Sequence, residues 1–337
     1  MRLRKCLALA AAVLTACGSG GATPAPASHR PSPSLTVTAS ASAASPSPTP
    51  GLPEAGTVAA TVAVGKGPDG LIAAAGSVWV AHFEGSTVSR IDPATGRVTA
   101  TIRTGAGPVR MAYGFGSTWV SNYHDNTVSR IDPGTNRVTA VLHAGLEPDG
   151  IAVGAGSVWV ANALDGTVVR IDPAAMRVQA VIHRVGQDPS EVTFALGSVW
   201  VSSPDEGKVT RIDPQTGKVT GAVGVDGGPL ATAASGGSLW AALYFQGAVA
   251  RIDPVHLRVT DTIPVSAGAN GLIHAHGALW LTADEPGSLW KLDPRSGTPL
   301  ATTTLGHQAK LAAFANGSLW VALSESNRVA RISPAEG

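Results

Sequence analysis

The stretch Gly156-Ser157-Val158-Trp159-Val160-Ala161-Asn162, continued by Arg170-Ile171-Asp172-Pro173, decides the fold because it returns seven times along the chain. Its tryptophan falls at Trp79, Trp119, Trp159, Trp200, Trp240, Trp280 and Trp320, at intervals of 40, 40, 41, 40, 40 and 40 residues. A fixed interval of this length marks a repeat architecture, in which each unit buries its apolar faces against its neighbours.

In the third unit, Gly150-Ile-Ala-Val, Ser157-Val-Trp-Val-Ala, Thr167-Val-Val-Arg-Ile and Arg177-Val-Gln-Ala-Val-Ile read as four short strands bounded by Gly, Pro, Asn or Asp. Four such strands per repeat make one blade of a β-propeller, so the fold class is all-β, with seven four-stranded antiparallel blades. Asp-Pro-x-Thr-Gly at Asp92 and Asp213, and its Asn-ended form at Asp132, fit hairpin turns: Asp bonds the backbone two residues on, Pro fixes φ, and Gly or Asn accepts positive φ. The ends of the array are complementary. Thr57 to Val64 resembles the fourth strand of a blade with nothing before it, and the last unit stops after three strands at Arg331-Ile332-Ser333-Pro334. Strand 57–64 is therefore expected to complete the last blade and close a propeller over residues 57–337, which spares that blade an open edge. Its deletion should open the ring.

Outside the repeats, residues 1–16 carry Arg2, Arg4 and Lys5, then an apolar run from Leu7 to Leu14 that is too short to span a bilayer. This is the layout of a secretory signal. Leu14-Thr15-Ala16-Cys17 resembles the bacterial lipobox, which implies lipidation of Cys17 and an extracytoplasmic protein anchored to the cell membrane. The alternative is an ordinary signal with a chance cysteine. Residues 17–56 are mostly Gly, Ala, Ser, Thr and Pro and read as a linker unable to bury a core. Lys+Arg 24 against Asp+Glu 23 gives +1, and loss of Arg2, Arg4 and Lys5 leaves 21 against 23, or −2. Bulk charge therefore points to neither nucleic acid nor anionic lipid, and membrane contact is expected through Cys17 alone. The two cysteines, Cys6 and Cys17, both precede the repeats, which excludes a disulfide or cysteine metal cluster in the propeller. A monomer is expected.

The repeat, Gly-x-x-Trp followed by Arg-Ile-Asp-Pro-x-Thr-Gly, resembles seven-bladed propellers of the YVTN/NHL type and is especially similar to their streptogramin lyase (virginiamycin B lyase) branch. That resemblance implies magnesium-supported lactone opening by histidines ten residues before the repeat tryptophan and a glutamate shortly after one. Here the ten-before residues are Asp69, Val109, Asp149, Ser190, Leu230, Asn270 and Lys310, and of the residues four after it only Asp284 is a carboxylate. The general base of the lyase is missing.

Two sets of positions remain for function. Asp69, Arg110, Asp149, Glu191, Asn270 and Lys310, nine or ten before the tryptophans, form a mixed-charge ring at the channel mouth. That ring is the first candidate for a ligand site, and Ca²⁺ or Mg²⁺ could be held by its carboxylates; the alternative is that its members simply pair with one another. The second-to-third-strand loops vary between blades and carry His82, Glu84, Tyr123, His124, Tyr244, Phe245, Asp284 and Glu285, side chains suited to a protein, peptide or glycan partner. Residues seven and five before the tryptophans are expected to line the channel, and those six before, including His274, to face the core. Trp290 reads as packing filler or as a surface anchor. The Arg or Lys present in every blade (Arg90 to Arg331) reads as scaffold. The expectation is a lipid-anchored binding propeller without catalysis; the alternative is a metal-assisted lyase or hydrolase, and a third reading is a passive spacer.

Overall fold

The computed structural model describes residues 51–306 and 308–335. The expected signal segment, Cys17 and linker residues 17–50 lie outside these described residues. Twenty-eight strands form seven four-stranded antiparallel sheets. Blades 1 to 6 occupy residues 68–103, 108–143, 148–182, 191–224, 229–264 and 269–304, each with its strands in chain order. Blade 7 takes its first three strands from residues 309–334 and its fourth from Gly56–Ala63. First strands of neighbouring blades lie side by side around the whole ring, blade 7 against blade 1. This succession makes two faces. Fourth-to-first and second-to-third loops form the mouth face; first-to-second and third-to-fourth turns form the turn face.

Each sheet is covered on both sides by its neighbours, which is why second strands such as Ser77–His82 are buried at every residue. The fourth strands, at the rim, alternate, as in Arg137–His143. The apolar core is divided into seven clusters, one per seam between blades. At the first seam Trp79, Ala81, Val88 and Ile102 of blade 1 meet Met111, Val120 and Ile131 of blade 2. The repeat tryptophan of each blade thus packs against the next. Its Nε1 donates to the carbonyl five residues earlier, at 3.0 Å in blade 3 and 3.3 Å in blade 7, so the buried indole is satisfied.

The repeated cation completes the seam. It sits opposite the tryptophan across the sheet, with Arg90 5.1 Å above the Trp79 ring and Arg170 5.3 Å above Trp159. Arg211 also reaches Pro254 O in the following blade at 2.9 Å. The Asp-Pro turns behave as their chemistry requires: Asp213 Oδ1 accepts from the Gln215 and Thr216 amides at 2.8 and 2.9 Å, and these bonds hold its carboxyl below the usual range. These residues are scaffold.

The ring closes through Gly56–Ala63, paired with Arg328–Pro334 in the register Gly56↔Pro334 to Ala63↔Arg328. The closing segment begins earlier than position 57. Thr302 N donates to Pro53 O at 3.0 Å, Ala335 N donates to Ala55 O at 3.1 Å, and Ala55 is fully buried. Residues 53–56 therefore belong to the propeller rather than to the linker.

The expected assignment of channel and core positions on the first strands is largely reversed: residues seven and five before the tryptophan, such as Ile72 and Ala74, pack into the seams, whereas Ala73, Tyr113 and Phe194, six before it, are exposed. Both sides of a first strand meet a neighbouring blade: the Val153 side chain lies directly over Gly114, and the Phe194 ring over Gly154. His274 is exposed rather than buried, and His276 stacks on Phe314 of the next blade with centroids 5.0 Å apart. Trp290 is filler: it is 1% exposed in the seam between blades 5 and 6, with Nε1 bonded to Ser288 Oγ at 2.9 Å.

Candidate binding face at the channel mouth

The positions nine and ten before the tryptophan are shaped by a bulge. In six blades the pairing of first and second strands shifts there, as between Pro68 and Leu71, Pro108 and Met111, and Ala309 and Ala312. A bulge leaves both of its residues on the same side of the ladder and re-aims their side chains. Asp69, Arg110, Asp149, Asn270 and Lys310 all stand in such bulges; Glu191, in the regular blade 4, pairs with Ser202. Pro-Asp-Gly fits the bulges of blades 1 and 3 because the next blade comes very close: a Cβ at Gly150 would lie 2.6 Å from Ser190 O.

A hydroxyl two residues after the tryptophan clamps these bulges, and the sequence reading passed over it. Ser121 Oγ donates to Asp149 O at 2.5 Å and accepts from Arg110 N at 3.2 Å; Ser202 does the same for Leu230 O and Glu191 N. Thr282 joins Gly271 N to Lys310 O. The signal was present as an alternation at that position: Ala81, Ser121, Ala161, Ser202, Ala242, Thr282, Ala322.

The expected ring resolves into two ionic groups. In the first, Arg110, only 5% exposed, bonds Asp69 through Nη1 and Glu191 Oε2 through Nε at 3.1 Å, while Ser190 Oγ donates to Asp149 at 3.1 Å. Burial alone would lower the Arg110 pKa, but the charges of Asp69, Asp149 and Glu191 outweigh it and raise the value, so the guanidinium stays charged. Burial pushes the Glu191 carboxyl up to about 7 against the pull of Arg110, with Asp149 adding to the rise. In the second group, Lys310 Nζ donates to Asp284 Oδ2 at 2.8 Å, Asn270 Nδ2 to Asp284 Oδ1 at 3.1 Å, and Tyr244 OH to Asp284 Oδ2 at 3.2 Å. Asp284 is 5% exposed, so it belongs to this buried group and not to an exposed loop. Burial first, and then Asp284, raise the Tyr244 pKa and keep the phenol a donor.

The loop residues divide similarly. Glu84, His124, Phe245 and Glu285 are exposed. Tyr123 is half-buried, donates to Glu147 Oε2 at 2.7 Å, and clusters with Phe83 and His124, whose centroids are 4.9 Å apart. His82 is corrected: it is fully buried and unavailable to a partner. Its Nε2 accepts from Gly65 N at 3.2 Å, its Nδ1 meets Thr87 Oγ1 at 2.9 Å, and burial lowers its pKa to about 4. It replaces Asn122 and Asn162 as a loop brace.

The magnesium implied by the lyase resemblance does not fit these residues. Arg110 stands among the carboxylates where a cation would have to go, and among the described residues no three His, Cys, Asp or Glu are grouped to hold a metal ion. Charge is nevertheless uneven across the molecule. Among the described residues the mouth half carries fourteen Asp and Glu against seven Lys and Arg, and the turn half eight against thirteen.

No family model and no curated protein sequence matches the chain. Among solved structures it is similar to virginiamycin B lyase from Staphylococcus aureus, with a TM-score of 0.72 and 15% identity over 82% of this chain and 99% of that one. It is also similar to a streptogramin B lyase, with a TM-score of 0.70 and 16% identity over 80% and 94%. Hydrazine synthase from Kuenenia stuttgartiensis follows at 0.68 and 16% over 81% and 97%. At these identities the likeness is one of fold: a streptogramin lyase-like seven-bladed propeller.

Proposed function

We propose that this chain is an extracytoplasmic binding protein, lipid-anchored through Cys17, whose mouth face takes a partner bearing cationic groups: a protein, a peptide or an amino-substituted cell-wall glycan. The observation that supports it is the excess of acid on that face beside exposed aromatic and carboxylate side chains at His124, Phe245, Glu84 and Glu285. Such a surface attracts cations at long range and offers ring faces to their alkyl stems. Titration with a lysine-rich peptide and with a chitosan oligomer tests it. Salt-sensitive binding of either probe, weakened at least tenfold by Glu84→Gln with Phe245→Ala, is expected. Failure of both probes to bind, or undiminished binding by the variant, overturns it. At high salt, Cys17→Ser should release the protein from the membrane fraction.

One observation favours a second reading. A carboxyl held near pH 7 beside a fixed guanidinium, as Glu191 is beside Arg110, suits a general base in a metal-independent lyase or hydrolase. Turnover of a streptogramin B-type lactone that is abolished by Glu191→Gln would establish that reading in place of pure binding.

A further inference from the structure

The turn face carries a second surface that the proposed binding role does not use. Around the end of the channel, Tyr113 and Phe115 of blade 2 are 42% and 51% exposed, and Phe194 and Leu196 of blade 4 are 37% and 44% exposed. Blade 3 joins them into one patch, because Val153 lies against Gly114 and the Phe194 ring lies over Gly154. Exposed apolar side chains gathered at one spot mark an interaction site, whereas scattered ones do not. Outside this patch, at the start of the fourth strands, Arg97, Arg137, Arg177, Lys218 and Arg258 are exposed, one from each of five successive blades. The chain's near-neutral balance therefore conceals a turn half with five more basic than acidic residues.

Aromatic and aliphatic side chains surrounded by a ring of Arg and Lys match the chemistry of an anionic bilayer: apolar groups enter the headgroup boundary while cations meet phosphates. The described chain also starts at this face, since Gly56 pairs with Pro334 at the turn-face end of the closing strands, and fifty residues precede position 51. We propose that the turn face docks directly on an anionic lipid surface, independently of any acyl chain at Cys17, and so holds the acidic mouth face away from the membrane.

All seven apolar seams and the ring closure lie within residues 51–337, so a chain lacking residues 1–50 keeps the whole fold and removes the apolar run at the N-terminus from the assay. Co-sedimentation of this chain with vesicles of phosphatidylglycerol and phosphatidylcholine, and with phosphatidylcholine alone, is the test. Phe115 and Leu196 have φ of 54° and 52° at the first position of two-residue hairpin turns, where Asn is preferred. Phe115→Asn with Leu196→Asn therefore removes apolar surface without disturbing the fold, which a thermal melt verifies. We expect binding to the anionic vesicles only, weakened at least tenfold by the double variant and by high salt, and unchanged by Glu84→Gln with Phe245→Ala on the other face. Absence of binding to anionic vesicles, or equal binding by the double variant, overturns the proposal. So does sedimentation as a dimer that the double variant dissociates without vesicle binding, which would make this face a contact between copies.

Discussion

At the mouth, the residues nine and ten before the tryptophan differ among the blades, and blades 1 to 4 pool three carboxylates and one arginine there. On the turn face five of the repeats place an arginine or lysine over the repeat tryptophan in nearly the same way. Arg110 and Arg170 are thus one residue type under opposite conditions. Arg110 is buried between Asp69 and Glu191, whereas Arg170 is half-buried and stacks on an indole. The lesson is that a repeat protein can carry an expensive ionic group at one end because the other end is built from inexpensive, redundant contacts.

Four measurements would break or sharpen that contrast. Arg110→Met, which removes the buried cation between Asp69 and Glu191, should cost about 3–5 kcal/mol of stability in chemical unfolding; a loss no larger than that of a surface substitution would show that the group is well hydrated. Next is pH. Glu191 holds its proton more tightly when folded, up to about 7 from 4.5, so its contribution is present at low pH and is lost as pH rises through 7. His82 resists protonation, down to about 4 from 6.5, so its contribution is present above 6.5 and is lost as pH falls through 4. Glu191→Gln should flatten the alkaline side of the melting-temperature profile, and His82→Asn the acid side, by a few degrees each. Phe115→Asn, on the turn face, should raise stability by about 1 kcal/mol by relieving a left-handed backbone. Arg170→Ala should cost the least, about 0.5–1 kcal/mol, for one cation–π contact and one hydrogen bond to Ser157 Oγ.

The ring, its blade count and its closing strand were legible in the spacing of the tryptophans and in the mismatch of the two ends, because a repeat multiplies a weak local pattern by seven. The mouth was legible in part. Counting back from Trp79 or Trp119 found Asp69 and Arg110, but not that a bulge puts both on the same side, since simple alternation assigns them to opposite sides. Asp284 reads as a loop residue and His82 as an exposed one; Tyr244 and Lys310 of the flanking blades cover the first and the Gly65 loop covers the second, and contacts made by loop folding leave no trace in local sequence. His274 failed in reverse, because the first strand packs Ile273 and Ala275 into the seam and turns His274 away from it.

The closing strand has one further consequence. Thr61 and Arg328, hydrogen-bonded at 3.1 Å, are 267 residues apart in the chain. Synthesis delivers Thr61 well before Arg328, so the seventh sheet cannot be completed until the chain has emerged as far as Arg328. Until then the first strand is an unpaired edge, and any segment leading into it must keep it from pairing with other chains.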